Sequence, residues 1–313
     1  MHLIQYFDDN GTRAVGVTRD GATRKVEGVS SVYELAQAAL AGLGGLSAAI
    51  DACGLGGTVD KAALLAEGRL LAPIDHPDAT HMHVTGTGLT HLGSAATRDA
   101  MHKSNGEKPA GELTDSMKMF RMGLENGKPT GGEKGVQPEW FYKGNGHIVS
   151  NPGHPIPSPS FALDAGEEPE IAGIYLIDAN GQPRRLGFAL ANEFSDHVTE
   201  RINYLYLAHS KLRACSFGPE LRVGDLPNHI EGMSRIRRDG EVLWEKPFLS
   251  GEDNMSHTIA NLEYHHFKYE LFCQPGDVHV HMFGTATLSS QIINGYRPMG
   301  DKAAKTLEQK IGL

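Results

Sequence analysis

The sequence predicts an α+β protein in two unequal parts: a small N-terminal α+β domain over residues 1–75 and a larger β-rich domain over residues 76–313. Three observations carry this. Apolar alternation at residues 2–7 and a short strand at 14–18, joined by the turn signal Asp9-Asn10-Gly11, begin a small meander, and two helix-patterned stretches follow. From Trp140 onward short strands and turns dominate, and only residues 195–209 and 254–264 carry a helical pattern. The length of 313 residues, 40% hydrophobic and 21% charged, allows one large domain with a smaller companion.

In order along the chain, Ser30 or Ser31 caps a helix beginning near Val32, with Glu34 in its first turn and Leu35, Ala36, Ala39 and Leu40 as its buried stripe. Thr58 caps a second helix over residues 60–67, and Leu70-Leu71-Ala72-Pro73-Ile74 leads out to the boundary. A strand at 81–86 precedes Gly88-Leu89-Thr90-His91 and a helical stretch to about His102. Residues 104–137, rich in Gly, Lys, Glu and Pro around an amphipathic patch at 117–124, read as a long irregular insertion of the kind that is usually functional or mobile.

Composition excludes several classes of function. A net charge of −9 argues against nucleic acid as the partner, because phosphate binding needs a basic surface. No apolar run approaches the roughly 20 residues that span a bilayer, and the N-terminus turns acidic at Asp8-Asp9 instead of following a signal-peptide layout. Cys53, Cys215 and Cys273 form no CxxC pair, so neither a zinc ribbon nor a disulfide framework is expected, and the expected setting is a reducing cytoplasm.

The most informative stretch starts at Glu168-Pro169-Glu170, runs through an apolar segment to Asn180-Gly181, and returns to Glu193. Two apolar runs around Asn-Gly predict a hairpin. With Asn180-Gly181 as the central turn residues, Glu168 lies opposite Glu193 and Glu170 opposite Ala191, so the three acids project from one face at the open end. Like charges so crowded repel. A hard divalent cation relieves that repulsion, and all-oxygen ligation favours Mg²⁺, Mn²⁺ or Ca²⁺ over zinc. The pattern alone leaves a solvated acidic face equally open, and Pro169 fits a strand edge.

Further motifs extend this reading. Gly88-Leu89-Thr90-His91, Pro138-Glu139-Trp140-Phe141-Tyr142-Lys143, Asn151-Pro152-Gly153-His154, Glu168-Pro169-Glu170, Gly187-Phe188-Ala189-Leu190-Ala191-Asn192-Glu193 and Pro275-Gly276-Asp277-Val278 with Gly284-Thr285 occur in one order. In that order they resemble the fumarylacetoacetate hydrolase superfamily over most of the chain. The resemblance implies a mixed β-sandwich roll, Mg²⁺ (or Mn²⁺) held by Glu168, Glu170 and Glu193, a 2-keto acid substrate chelating the metal, and a homodimer. The third ligand, usually an aspartate, is here the longer Glu193. Lys143 and Lys211 match family lysines near the substrate, Gly284-Thr285 matches the segment that binds the substrate carboxylate, and Ser94 falls on the helix that faces the substrate.

One departure matters. Hydrolases of the family carry a histidine and, three residues later, a glutamate on the short helix after the glycine motif, and this dyad activates water. Aligned through Gly88-Leu89, those positions are Ser94 and Thr97, and neither is a base at neutral pH. The implied reaction is therefore dehydration of a 2-keto-3-deoxy pentonate to 2,5-dioxopentanoate, with Lys143 or Lys211 as base and His91 as a proton shuttle. The rival is C–C hydrolysis of a 2,4-diketo acid with a base such as Glu112 or Asp115 from the insertion, and a non-catalytic sugar-acid binding protein ranks third. His279 and His281 share a strand face at a spacing that can ligate metal, but no third soft ligand is apparent, and strand packing is the simpler reading. Of His265-His266, only one can face inward.

Overall fold

A computed structural model describes residues 1–42, 44–94, 96–97 and 113–289, together with the backbone of 307–311. The N-terminal strands β1 (His2–Phe7), β2 (Arg13–Arg19) and β3 (Ala22–Val26) form the expected meander. Helix α1 (Val32–Leu40) starts where Ser31 Oγ accepts from Glu34 N, while Glu34 reaches back to Ser30 N at 2.9 Å. Two elements escaped the sequence pattern: helix α2 (Leu46–Cys53) and strand β4 (Leu55–Thr58). Because Thr58 is occupied in β4, the cap of α3 (Lys61–Ala66) is Asp60, whose carboxylate accepts from Ala62 N and Ala63 N. Strand β5 (Leu70–Leu71) then pairs with β1.

The remainder contains β6 (Met82–Gly88), α4 (Asp115–Asn126), β7 (Glu139–Asn145), β8 (Val149–Ser150), β9 (Pro169–Ile177), β10 (Pro183–Asn192), α5 (His197–Ile202), α6 (Leu207–Lys211), β11 (Cys215–Phe217), β12 (Leu221–Val223), β13 (Ile230–Arg238), β14 (Glu241–Ser250), α7 (Ile259–Phe267), β15 (Val278–Met282) and β16 (Leu307–Ile311). The amphipathic patch of the insertion is α4, capped by Thr114, while residues 104–112 lie outside the described residues, as do 95 and 98–102 of the helical stretch expected after His91. The helix expected over 195–209 is broken at Asn203, whose extended backbone ends α5 and whose side chain caps the next turn at Leu205 N. The one expected over 254–264 begins later, at the Thr258 cap of α7.

Thirteen strands form one mixed sheet, ordered β4-β3-β2-β1-β12-β10-β9-β15-β6-β7 with β5, β8 and β11 branching from it, and β14-β13-β16 form a second sheet. Every residue of β9 is buried. Its Ala172, Ile174 and Leu176 join the core under α1 and α2, whereas Ile171 packs with Phe188, Phe248, Leu262 and Phe283 under β14 and α7. Layers on both faces explain why β9 reads as a continuous apolar run. No helix among the described residues is long and apolar enough to cross a membrane.

The β9–β10 hairpin corrects the expected turn. Its loop has three residues, 179–181, closed by Asp178 N donating to Gln182 O at 2.9 Å, and Ile177 pairs with Pro183. That turn alone would slip the register by one and reverse every side chain. A bulge between Arg185 and Gly187 restores the register, so Glu170 does face Ala191. Glycine is required there: a Cβ on Gly187 would lie 2.0 Å from the Arg222 carbonyl oxygen.

Candidate metal centre and active site

Glu168 precedes β9, Glu170 is its second residue, and Glu193 follows β10; Glu193 N donates to Glu168 O at 2.9 Å, continuing the ladder past the last strand pair. Glu168, Glu170 and Glu193 are buried, at 6%, 1% and 0% exposure, and each has an oxygen within 4.8 Å of the others. They are no solvated acidic face. Burial, then the charges of Glu193 and Glu168, hold the Glu170 carboxyl well above the usual carboxylate range. Glu170 is anchored by Gly284 N at 2.7 Å. Gly284 has φ 88°, and a Cβ there would lie 2.4 Å from Thr90 Oγ1, so glycine is needed to bring this N–H in.

Three cationic side chains hold the cluster together. Lys143 Nζ, on β7, donates to Glu193 Oε1 at 2.5 Å, Phe194 O at 2.6 Å and Lys211 O at 3.0 Å. These are all the donors an ammonium has. Lys211 Nζ, at the end of α6, donates to Glu168 Oε1 at 2.7 Å, to Glu193 Oε2 and to Ser195 Oγ. Burial opposes its charge, but Glu168 and Glu193 outweigh burial and hold it well above an ordinary lysine. Likewise burial would raise Glu168, yet Lys211 and His197 keep it well below the usual carboxylate range.

His197 is the residue that the sequence reading missed. It starts α5, is 1% exposed, and contacts Glu168 Oε1 through Nε2 at 2.8 Å and Asp164 through Nδ1 at 3.5 Å. Burial would lower its pKa, but those two carboxylates push it up to about 10. Glu200, one turn on and equally buried, lines the same cavity. The signal was present as Asp196-His197-Val198-Thr199-Glu200, a helix cap followed by acid–base groups at i and i+3.

The cavity is walled by Glu168, Glu170, His197, Glu200, Lys211 and Thr285, with Ser94 and Gly284 also on its lining. Lys143 and His91 are not on it. Lys143 sits behind Glu193, and His91 is buried between Thr90 Oγ1 at 3.1 Å and Ser250 Oγ at 2.9 Å, where burial lowers its pKa to about 3. Ser94 donates to His91 O at 2.6 Å, Thr97 to Ala286 O at 3.1 Å, and Thr285 Oγ1 accepts from Thr287 N at 3.0 Å. The donor set fits a hard divalent cation: among the described residues the ligand group is three buried carboxylates and includes no sulfur or imidazole.

No protein-family model and no curated protein matches the chain. Solved structures do. The chain is similar to 2-keto-3-deoxy-D-arabinonate dehydratase complexed with magnesium and 2,5-dioxopentanoate, at 22% identity and TM-score 0.66 over 100% of this chain and 95% of that one. It is also similar to fumarylacetoacetate hydrolase from Exiguobacterium antarcticum, at 14% identity and TM-score 0.60 over 100% and 96%. The chain has the fumarylacetoacetate hydrolase fold. A third protein of this fold, 5-carboxymethyl-2-hydroxymuconate delta-isomerase from Mycobacterium smegmatis, matches at 17% identity and TM-score 0.51, covering 91% and 87%. Dehydratase, hydrolase and isomerase thus share the fumarylacetoacetate hydrolase fold with this chain.

Proposed function

We propose that this chain is a metal-dependent hydro-lyase of the fumarylacetoacetate hydrolase superfamily, converting a 2-keto-3-deoxy pentonate to 2,5-dioxopentanoate. The supporting observation is one cavity lined by Glu168, Glu170, Lys211, His197 and Glu200, with Glu193 completing the buried carboxylate cluster, while the wall at Ser94 carries no base. The reaction removes a proton from C3 and the hydroxyl from C4 as water, and the unsaturated alcohol tautomerises to the C5 aldehyde. A bound Mg²⁺ or Mn²⁺, held by Glu168, Glu170 and Glu193, supplies polarisation of the 2-keto oxygen and so acidifies C3.

The protein's own groups divide the rest. Lys211 lies on the cavity wall and is the base for the C3 proton; a cation shared by Glu168 and Glu193 would offset the negative charge that otherwise keeps its proton in place. The His197–Glu200 pair protonates the departing hydroxyl. Ser94 and Thr285 orient the substrate carboxylate. Lys143 positions Glu193 and His91 supports the Ser94 turn; both lie behind the lining. A homodimer, a cytoplasmic setting and a domain division near residue 75 belong to the same proposal.

The rival is C–C hydrolysis of an acylpyruvate. Asp115 does not favour it, being 69% exposed and paired with Lys118, and Glu112 lies outside the described residues. Its best support is the His197–Glu200 pair acting on water. The test is incubation with Mg²⁺ and a 2-keto-3-deoxypentonate, monitoring the aldehyde product, beside an acylpyruvate, monitoring pyruvate. Pyruvate release without aldehyde formation would reverse the assignment.

A further inference from the structure

A second cluster of potential ligands lies well away from the carboxylates. β15 and β6 run parallel, with His279 directly beside His83 and His281 beside Thr85. Asp277 precedes β15 by one residue and shares the His279 face, because alternate strand positions point the same way. His83, Asp277 and His279 each offer a ligand atom, and the three atoms lie within 4.8 Å of one another. On the other side of β15, His279 pairs with Tyr175 of β9, five residues from Glu170. That separation is roughly 16 Å along the strand.

We propose that His83, Asp277 and His279 form a second metal site, selective for a borderline divalent ion of the Zn²⁺ class. His83 Nε2 and Asp277 Oδ2 are 3.1 Å apart. Two ligands at about 2.0 Å from one tetrahedral ion stand about 3.3 Å apart. His279 is 0% exposed, and its Nε2 is buried with no hydrogen-bond partner among the described residues.

The outer contacts are those of a supported site. His81 Nδ1 holds the other Asp277 oxygen at 2.7 Å, and His266 Nε2 meets His279 Nδ1 at 3.0 Å. Metal-ligating histidines and carboxylates are held in this way by their second atoms. Trp140 Nε1 donates to His266 Nδ1 at 3.3 Å, which places the His266 proton on Nε2 and the His279 proton on its partnerless Nε2. Ligation moves the His279 proton to Nδ1, from which it is donated to His266 Nε2, and only the long Trp140 bond is given up. Phe267 and Phe272 pack against the His279 ring and exclude water from one side, while His81, with a 56% exposed side chain, leaves an entry route. The donor set of two imidazoles and one carboxylate favours Zn²⁺ or Co²⁺ over the Mg²⁺ suited to the all-oxygen centre.

The test loads the full chain with Co²⁺ in the presence of excess Mg²⁺ and reads the visible spectrum and metal content after desalting. Expected is one Co²⁺ per chain with intense tetrahedral bands, unchanged in Glu170→Gln and lost in His83→Gln and Asp277→Asn. The exposed-side substitution His81→Gln, which leaves the three ligands in place, should weaken Co²⁺ binding about 10–100-fold. X-ray absorption of the Zn²⁺-loaded wild type supplies a measurement that needs no variant, and imidazole scattering is expected. Absent bands in the wild type, an all-oxygen shell, or bands lost in Glu170→Gln but kept in Asp277→Asn would each overturn the proposal.

Discussion

Lys143 and Glu193 form a fully buried ion pair, Nζ to Oε1 at 2.5 Å, joining β7 to the residue after β10. Removing one partner leaves an uncompensated buried charge, which costs about 3–5 kcal/mol. Lys143→Met should therefore lower stability by that order in chemical denaturation. The double variant Lys143→Met/Glu193→Gln should recover part of the loss, and a double loss equal to the sum of the two single losses would show that the pair does not couple.

Glu170→Gln should reduce Mg²⁺-dependent turnover by at least about 10³-fold, the scale seen when a preorganised electrostatic contact is deleted. The same substitution should stabilise the protein in chelator. The Glu170 carboxyl is raised in the folded state, so its contribution is fully present below the unfolded carboxylate pKa and is lost as pH rises toward the folded value. Melting curves across that range in EDTA should fall more steeply for wild type than for the variant. Parallel curves would show that Glu170 does not carry the repulsion.

His197→Asn and Glu200→Gln should each lower kcat by about 10²–10⁴-fold, the usual contribution of a positioned acid or base. KM should change far less if the pair acts on the departing hydroxyl. A large rise in KM with kcat intact would instead assign the pair to substrate binding.

Acid should destabilise the protein well above the carboxylate range. Burial lowers His91 and His281 to about 3 and His257 to about 4. Burial also holds His266 and His279 well below the ordinary value. For such groups the unfolded chain binds protons first, so stability is lost as pH falls from about 6.5 toward 4, with up to about five protons taken up by these histidines on unfolding. Proton uptake measured by calorimetry in buffers of different ionisation enthalpy checks the count. His197 works in the opposite sense: raised to about 10, its contribution is intact below 6.5 and lost as pH climbs through 10.

Gly187→Ala tests the bulge. The added methyl would press on the Arg222 carbonyl, so the strand must shift or the bulge must close. We expect a loss of about 1–3 kcal/mol, as for other overpacked sites, and weaker Mg²⁺ binding, because closing the bulge turns Glu193 relative to Glu170. Unchanged Mg²⁺ affinity by calorimetry would show that the register does not depend on it.

The sequence by itself determined the periodic and local features: the meander, the Ser31 cap, the β9–β10 hairpin and the grouping of Glu168, Glu170 and Glu193 at its open end. Alternation and turn chemistry act between near neighbours, so they can be read from order alone. The hairpin also shows the limit: the turn has three central residues where two were expected, and the register came out as expected because a bulge compensates. Tertiary structure decided whether the acids face water or each other, since their burial depends on Lys143, Lys211 and His197 arriving from β7, α6 and α5. It also left Lys143 and His91 off the cavity lining and brought His83 beside Asp277 and His279. Parallel pairing of β15 with β6 joins segments nearly 200 residues apart, and no local periodicity encodes that partnership.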